Sequence, residues 1–267
     1  MSFELLWQTV FLGVIEGLTE FLPVSSTGHL ILAIDLLGFQ GPAGKVFEIV
    51  IQLGAILAVC VVYFGRLMGA LIRLPSDPEA RSFALSIILA FLPSAVIGVL
   101  AYRFIKDVLF SPWVVSVTLI LGGFVLIALD RWMPRGMYRR GEDIPPLKGL
   151  VIGFCQAVSM IPGVSRAGAT IVGALYLGAD RRAAAEFSFF LAVPTMLGAT
   201  VYDLYKNWST LDTSGELVIA IGFVTAFLAA LVVVRTMIWF ITKHGFAPFG
   251  WYRIAVGLVM LGILAVR

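Results

Sequence analysis

One stretch decides the fold: GVIEGLTEFLPVSSTGHLIL, which occupies residues 13–32. Its flanks are as apolar as a membrane-spanning helix, whereas its centre carries glutamates, hydroxyl side chains and a histidine. A spanning helix has no use for such a centre, because polar groups are costly in hydrocarbon and are retained there mainly for function. The proline and glycine that bound the PVSSTG segment, residues 23–28, predict a break in the helix at this point.

The composition of the chain is that of a membrane protein. Of the 267 residues, 60% are hydrophobic and 13% are charged, and the mean hydropathy is +1.00. Soluble domains carry about a quarter charged residues, so the composition predicts an all-α polytopic membrane protein. The net charge of +3 comes from basic residues in short loops, which indicates topology and no nucleic-acid partner. The first residues lack a basic segment, so we expect no cleavable signal peptide.

Six apolar stretches are long enough to cross a membrane, for which a helix needs about 20 residues. They are residues 47–65, 83–102, 113–129, 183–202, 217–240 and 249–266. Two further apolar stretches, 5–37 and 147–178, are interrupted at 23–28 and 162–168. The helix after each break is about 15 Å long, half of the hydrocarbon thickness. Both stretches therefore predict re-entrant hairpins, although two full crossings in each would leave the loops on the same sides.

The two interrupted stretches resemble each other at an offset of 140 residues. The matched positions are Gly13 with Gly153, Glu16 with Gln156, Val24 with Val164, Ser25 with Ser165, and Gly28 with Gly168. The chain is thus predicted to be a single integral membrane domain, residues 1–267, with two copies of a hairpin and three spans at approximately 1–135 and 147–267. Three is an odd number, so the second copy is inverted, as in many transporters.

The basic residues favour one orientation. If each hairpin returns to its own side, one face carries five of them: Lys45, Arg103, Lys106, Lys206 and Arg267. The other face carries twelve: Arg66, Arg73, Arg81, Arg131, Arg135, Arg139, Arg140, Lys148, Arg181, Arg182, Arg235 and Lys243. Short cytoplasmic loops are rich in Lys and Arg, so the first hairpin is predicted to enter from outside and the second from the cytoplasm.

The two breaks predict an anion site. Gly28 begins one half-helix and Ala167 the other, and two helix N-termini that converge from opposite faces attract negative charge. The planar fork of Arg166 suits phosphate oxygens. The residues predicted to bind phosphate are Ser25, Thr27, Gly28, Gly163, Ser165, Gly168 and Thr170. Each hydroxyl alone is also explained as a helix cap, and Arg166 as a structural partner of Glu16 or Glu20.

Glu16 and Glu20 lie one helical turn apart and share a face. Two carboxylates inside a membrane repel each other, and a divalent cation, a shared proton or an arginine partner would relieve this. His29 follows Ser26 by three residues and is predicted to act as its base, or as the acid for a leaving oxygen. For Glu48, Glu186, Tyr202 and Asp203, helix-end or interhelical roles are favoured. Lys45 is either a head-group ligand or a plain loop lysine.

Residues 16–30, EGLTEFLPVSSTGHL, and 162–170, PGVSRAGAT, resemble the bacterial undecaprenyl-diphosphate phosphatases, integral membrane proteins linked to bacitracin resistance. The resemblance covers essentially the whole chain, and one departure is Ala167, where a serine is common. It implies hydrolysis of the C55 lipid undecaprenyl diphosphate to the monophosphate and phosphate, which recycles the lipid carrier for peptidoglycan and other envelope polymers. It also implies Mg²⁺ or Ca²⁺, bacitracin as a competitor for the substrate, and a multi-pass protein of the cytoplasmic (inner) membrane with its active site on the outer, periplasmic side.

The resemblance and the chemistry of the residues imply the same roles for the side chains at the two breaks. Glu16 and Glu20 hold the metal, Arg166 binds phosphate oxygens, and Ser26 is the expected nucleophile with His29 as its base. Direct attack by water, with Ser26 only binding phosphate, is the competing version. The catalytic set is therefore predicted to be Glu16, Glu20, Ser26, His29 and Arg166.

Two rival functions belong to other classes. An inverted repeat with hairpins that meet at the midplane also suits a transporter or flippase of an anionic lipid or solute. An anion channel lined by helix N-termini would have no need of two acidic residues beside the anion. Gly198 and Gly222 are compatible with the close helix contacts of a homodimer.

Overall fold

The structure, a computed structural model, describes residues 2–41, 46–132, 136–206 and 215–266. Lys45, Arg135 and Arg267, which enter the predicted charge count, lie outside the described residues, and so do short parts of both predicted repeats. Within the described residues the chain is helical and has no β-strand beyond one isolated bridge between Tyr138 and Ala179. The all-α membrane class predicted from composition is therefore confirmed.

The described residues form twelve α-helices. The first six are α1 (Phe3–Thr19), α2 (Ser26–Leu37), α3 (Val46–Val62), α4 (Phe64–Arg73), α5 (Pro78–Leu100) and the single turn α6 (Tyr102–Phe104). The second six are α7 (Pro112–Trp132), α8 (Pro146–Val158), α9 (Arg166–Tyr176), α10 (Arg181–Lys206), α11 (Glu216–His244) and α12 (Ala247–Val266). A π-helical turn, Ile105–Leu109, follows α6, and a 3₁₀ turn, Gly141–Asp143, precedes α8.

Five helices, α5, α7, α10, α11 and α12, are long and apolar enough to cross a membrane. The predicted span 47–65 is different, because α3 ends at Val62 and α4 leaves it at an angle of 71°. Counted as one broken span, α3 and α4 make the sixth. The bend comes where the apolar run gives way to Arg66, whose guanidinium is held by the carboxylates of Glu142 and Glu186.

Both interrupted stretches are broken, but each break lies three residues before the predicted one, so α2 begins at Ser26 and α9 at Arg166 and not at Gly28 and Ala167. Residues 20–25 separate α1 from α2, and residues 159–165 separate α8 from α9. The second helices, α2 and α9, have 12 and 11 residues, so each is about 16–18 Å long and too short to span about 30 Å of hydrocarbon. The hairpins fit the re-entrant prediction, and their depth in a membrane stays a prediction.

The helices pack in pairs that correspond to each other in the two predicted repeats. Helix α1 packs along α11 and α8 packs along α5, while α7 packs against α12 and α3 against α10. A Cβ atom on Gly13 would lie 2.7 Å from the carbonyl oxygen of Gly222, and one on Gly153 would lie 2.5 Å from that of Ala90. The matched glycines thus allow both first helices to approach their partners closely. The repeat boundaries themselves stay a prediction.

Glu186, on α10, links several segments at the arginine-rich end of the bundle. Its side chain is 1% exposed and accepts hydrogen bonds from Arg66 at 2.8 Å, Arg182 at 3.0 Å and the backbone N–H of Gly141 at 3.2 Å. A buried carboxylate needs such partners, since an unpaired charge is strongly destabilising. The interhelical role expected for Glu186 is what the structure has.

Candidate active site

Both hairpin turns pass through a serine in an unusual backbone conformation. Ser25 has φ +73° and Ser165 has φ +77°, and among the described residues they are the only non-glycine residues with positive φ. Each side-chain oxygen accepts a hydrogen bond from the backbone N–H three residues later, that of Gly28 at 3.3 Å and that of Gly168 at 3.0 Å. Such a backbone conformation is strained and persists where the surroundings impose it.

Arg253 of α12 holds both turns in this conformation. Its side chain is fully buried, at 1% exposure, and all five of its hydrogen bonds go to backbone carbonyl groups. The acceptors are Pro23 and Val164 at 3.0 Å, Gly163 at 2.8 Å, Thr118 at 3.2 Å and Leu119 at 3.3 Å. One guanidinium therefore ties the turn of the first hairpin to the turn of the second and both turns to α7.

Arg253 belongs to neither of the two sequence motifs, although the sequence carries a signal for it. The residue is a single cation inside the predicted span 249–266, and ionisable groups within spans are functional candidates by default. Its acceptors are backbone carbonyls, which no side-chain motif reveals.

Glu20 contacts predicted site residues of both hairpins. The hydroxyl of Ser26 donates a short hydrogen bond to Glu20 Oε2. From the other hairpin, Arg166 donates to Glu20 Oε1 from Nη2 at 3.3 Å and from Nε at 3.4 Å. Both Glu20 and Ser26 are buried, at 6% exposure. The carboxylate is thus placed to accept the proton of the serine, while the guanidinium stabilises its charge.

Arg166 is anchored by a second contact. Its Nη1 donates to the backbone carbonyl of Ser188 on α10 at 2.9 Å. The structural pairing of Arg166 with Glu20, which the sequence offered as an alternative to phosphate binding, is therefore present. The two roles are compatible, because a guanidinium carries five N–H donors and only part of this set is used by Glu20.

Glu16 lies one turn before Glu20 and is 1% exposed. Its Oε1 atom is buried and has no hydrogen-bond partner in the described part of the chain. An orphaned carboxylate oxygen beside a second carboxylate fits the protein ligands that Mg²⁺ would need, because Mg²⁺ commonly takes one or two carboxylates and completes its shell with water and phosphate oxygens. No cluster of three or more acidic, histidine or cysteine ligands occurs among the described residues, so the remaining ligands would have to come from these sources.

The hairpin tips line one end of a cavity of about 490 Å³. Seven of the predicted residues face it: Glu20, Ser25, Ser26, Thr27, Gly163, Ser165 and Arg166. From there the cavity extends between α5 and α10 as far as Tyr102 and Asp203, whose side chains hydrogen-bond to each other at 2.9 Å. Residues from both hairpins are therefore brought to one cavity.

His29 is not among the residues that line this cavity. Its Nδ1 lies 2.7 Å from the carbonyl oxygen of Ser25, and its Nε2 lies 2.8 Å from the hydroxyl of Tyr252. A carbonyl only accepts, so Nδ1–H donates to Ser25 and Nε2 of a neutral ring accepts from Tyr252. The structure therefore pairs Ser26 with Glu20, and the predicted role of His29 as its base has no contact that supports it.

Four further predicted residues also lie away from the cavity. The hydroxyl of Thr170 lies 2.7 Å from that of Ser188 on α10 and also within hydrogen-bond distance of two carbonyl oxygens of its own helix. The backbone N–H groups of Gly28 and Gly168 already donate to the capping serines. Glu16, one turn before Glu20, does not line the cavity. These residues surround the site and do not form its wall.

Comparison with known proteins gives a consistent result. The family described as Bacitracin resistance protein BacA matches residues 9–259. An undecaprenyl-diphosphatase 2 of Paramagnetospirillum magneticum is 55% identical, over 97% of this chain and 99% of that protein. Undecaprenyl-diphosphatases of a Chelativorans species and of Paracoccus denitrificans are 54% and 58% identical, over 99% and 94% of both chains respectively.

Proposed function

The chain belongs to the family of the bacitracin resistance protein BacA, and from that premise we infer that it hydrolyses undecaprenyl diphosphate to undecaprenyl phosphate and inorganic phosphate. The observation that carries this proposal is the carboxylate of Glu20, which contacts Ser26 from one hairpin and Arg166 from the other at the end of a cavity. Phosphoryl transfer depends mostly on positioning and charge stabilisation, and this arrangement supplies both. None of the named relatives is called a transporter, so the transporter alternative has no comparable support.

In the proposed mechanism Ser26 is the nucleophile. Its Oγ attacks the terminal phosphorus while Glu20 takes the hydroxyl proton, and the bond from that phosphorus to the bridging oxygen breaks. The bridging oxygen leaves with the prenyl monophosphate, and Arg166 stabilises the charge on the transferred phosphoryl group. Water then attacks the phosphorus of the phosphoserine, the bond from phosphorus to Oγ breaks, and Glu20 returns its proton to Oγ, so that inorganic phosphate is released. Trapping of a phosphoserine supports this version, whereas its absence under rapid quench favours direct attack by water.

We propose that Glu16 and Glu20 hold a divalent cation, Mg²⁺ or Ca²⁺, when substrate is bound. The ion would neutralise phosphate charge and polarise the scissile bond. The orphaned oxygen of Glu16 supports this assignment, since an ion would satisfy it.

A Glu16→Gln change tests the metal assignment. The amide keeps the size of the side chain and removes its charge, so the Mg²⁺ concentration that gives half-maximal activity should rise by about tenfold or more. A titration that superimposes on that of the unchanged protein would argue against metal binding at Glu16. Glu4→Gln, at an exposed glutamate in the first turn of the same helix, is the control and should leave the Mg²⁺ midpoint in place.

An Arg166→Lys change separates charge from geometry. Lysine keeps the positive charge and loses the fork that contacts Glu20 and the carbonyl of Ser188, so kcat/KM should fall by about 10²-fold. The measurement is initial-rate kinetics on protein whose thermal unfolding is unchanged. Kinetics within a factor of two of the unchanged protein would show that the fork has no part in the reaction.

We further propose that the protein lies in the bacterial cytoplasmic (inner) membrane with its cavity open to the outer side. Both α5 and α10 begin near arginine-rich loops and end near Tyr102 and Asp203, where the cavity also reaches. The positive-inside rule would place that end outside the cytoplasm. On this orientation bacitracin would compete for the lipid diphosphate from the outer side.

A homodimer stays a prediction. The two glycines that suggested it have contacts within the chain: Gly222 packs against Phe47, and Gly198 lines the cavity.

The decisive experiment is release of inorganic phosphate by purified protein in detergent, with undecaprenyl diphosphate as the substrate. An enzyme should release phosphate there although no gradient exists, and a pure transporter should not. We expect EDTA to abolish the activity and added Mg²⁺ or Ca²⁺ to restore it. No phosphate release with either metal would overturn the proposed function.

A further inference from the structure

The part of the cavity between α5 and α10 differs in chemistry from the hairpin tips. Its walls are largely apolar, and they include Ala95, Gly98, Met160, Met196 and Ala199. A phosphate ion gains nothing from such walls, because burial of a charge without polar partners is unfavourable. The gap is suited to a hydrocarbon.

The gap is also where the predicted repeat loses its symmetry. The equivalent pair, α3 with α11, is tightly packed, and a Cβ atom on Gly222 of α11 would meet Ile51 of α3 at 2.8 Å. Helices α5 and α10 contact each other less extensively and leave the cavity between them. One helix pair is thus closed, and its counterpart is open.

The gap reaches the outer surface of the bundle. Val99 of α5 is 52% exposed and Ala199 of α10 is also exposed, and both residues line the cavity. Because both helices are candidate membrane spans, the surface at Val99 and Ala199 faces acyl chains when the protein is in a bilayer. The cavity therefore opens sideways toward lipid as well as toward the end marked by Asp203.

Positions along α10 show the order of the head-group site, the polar side chains and the apolar gap along the cavity. Ser188, which anchors Arg166, lies seven residues before Thr195, or about 10 Å along the helix. At the level of Thr195 the buried amide of Gln156 receives a hydrogen bond from Thr195 at 3.3 Å and donates one to Ser94 of α5 at 2.6 Å. Gly198 and Ala199 follow within one further turn. A lipid chain that extends from a head group at Arg166 would thus pass the polar side chains around Gln156 first and enter the apolar gap next.

We propose that the gap between α5 and α10, at Gly98 and Gly198, is the portal that holds the first isoprene units of the prenyl tail. This inference rests on the proposed function and adds the site at which the lipid is recognised. A cavity of about 490 Å³ is of the size that encloses a drug-sized ligand, so it takes only the head-proximal part of a C55 chain. The rest of the tail remains in the bilayer.

Two variants that fill the portal test the proposal. A Cβ atom on Gly198 would lie 3.2 Å from Phe91, and one on Gly98 would lie 3.4 Å from Met160, and both of these neighbours line the cavity. Gly198→Leu and Gly98→Leu therefore place a side chain in the gap and should raise KM for undecaprenyl diphosphate about tenfold or more. Gly262→Leu on α12 is the matched control, because a Cβ there meets nothing within 4 Å.

Inorganic pyrophosphate reports on the head-group site in the same variants. We expect its inhibition constant to stay within about twofold while KM for the prenyl substrate rises, since only the tail has lost space. An unchanged KM in both leucine variants would overturn the portal. An equal loss of pyrophosphate inhibition would also overturn it, because the gap would then serve the phosphate or water.

A second measurement needs no variant. A prenyl diphosphate with a photoreactive diazirine on its second isoprene unit should label the unchanged protein within residues 95–102 and 196–203. Labelling confined to α7 or α12 would refute the portal whatever the kinetics of the variants. If instead the unchanged protein releases no phosphate from undecaprenyl diphosphate, the proposed function fails, and the labelled peptides still report independently where a prenyl chain binds.

Discussion

Replacement of Glu20 by glutamine is expected to lower kcat by about 10³-fold while the protein remains folded. Glutamine has nearly the same shape, but its amide cannot take the proton of Ser26 or carry the charge that Arg166 stabilises. General base catalysis contributes about 10²–10⁴-fold, and the expected loss lies within that range. Single-turnover kinetics at saturating substrate measure the chemical step directly.

The control for this change is Glu16→Gln, one turn away on the same helix. Glu16 is just as buried but does not line the cavity. At saturating Mg²⁺ its amide variant should retain a much larger share of kcat than the Glu20 variant. If the two variants lose the same amount, or if the Glu20 variant keeps a normal kcat, Glu20 is not the base.

Replacement of Arg253 by methionine should reduce activity by at least about 10²-fold and lower the temperature of thermal unfolding. Methionine fills a similar volume but leaves the turn carbonyls of Pro23, Gly163 and Val164 without the guanidinium donor, and it removes the link from the turns to α7. Each unsatisfied buried group costs about 1–3 kcal/mol, partly offset because a buried charge is also removed. The larger effect should fall on kcat, because Ser26 and Arg166 belong to different turns and Arg253 holds those turns together.

Three comparisons isolate the role of Arg253. Arg235→Met removes an exposed arginine from α11 and should leave activity and unfolding temperature in place. Arg253→Lys keeps the charge with three donors and should recover part of kcat. Gly122→Ala would place a Cβ atom 2.6 Å from Cζ of Arg253, so it should reproduce the loss of kcat without changing any charge. A methionine variant with normal kcat would show that the turns hold their register without this side chain.

Much of the fold follows from the sequence because hydropathy and helix breakers act locally. The spans are set by apolar length, and the breaks at 20–25 and 159–165 are set by proline, glycine and serine. The bend after Val62 was not predicted, and the ion pairs that Arg66 forms beside it with distant segments are not visible in the local sequence.

Seven of the predicted site residues line the cavity, and the pairing of their side chains was predicted only in part. Helical spacing identifies residues that share a face, but it gives no information on how a half-helix is rotated after an irregular turn. The positive φ of Ser25 sets that rotation, and it turns His29 toward Tyr252 of α12 while Ser26 meets Glu20. Thr170 is directed toward Ser188 for a similar reason, because Arg166 and Thr170 both pack against α10.

The five contacts of Arg253 have a consequence for how such proteins diverge. Peptide carbonyls are present whatever amino acid stands at a position, so the acceptors at 23, 118, 119, 163 and 164 can change identity without loss of the interaction. Co-evolution between pairs of side chains would then leave no trace of this cross-link. Co-variation analysis should therefore find no partner position for 253, even though its side chain connects α12 to both hairpin turns and to α7.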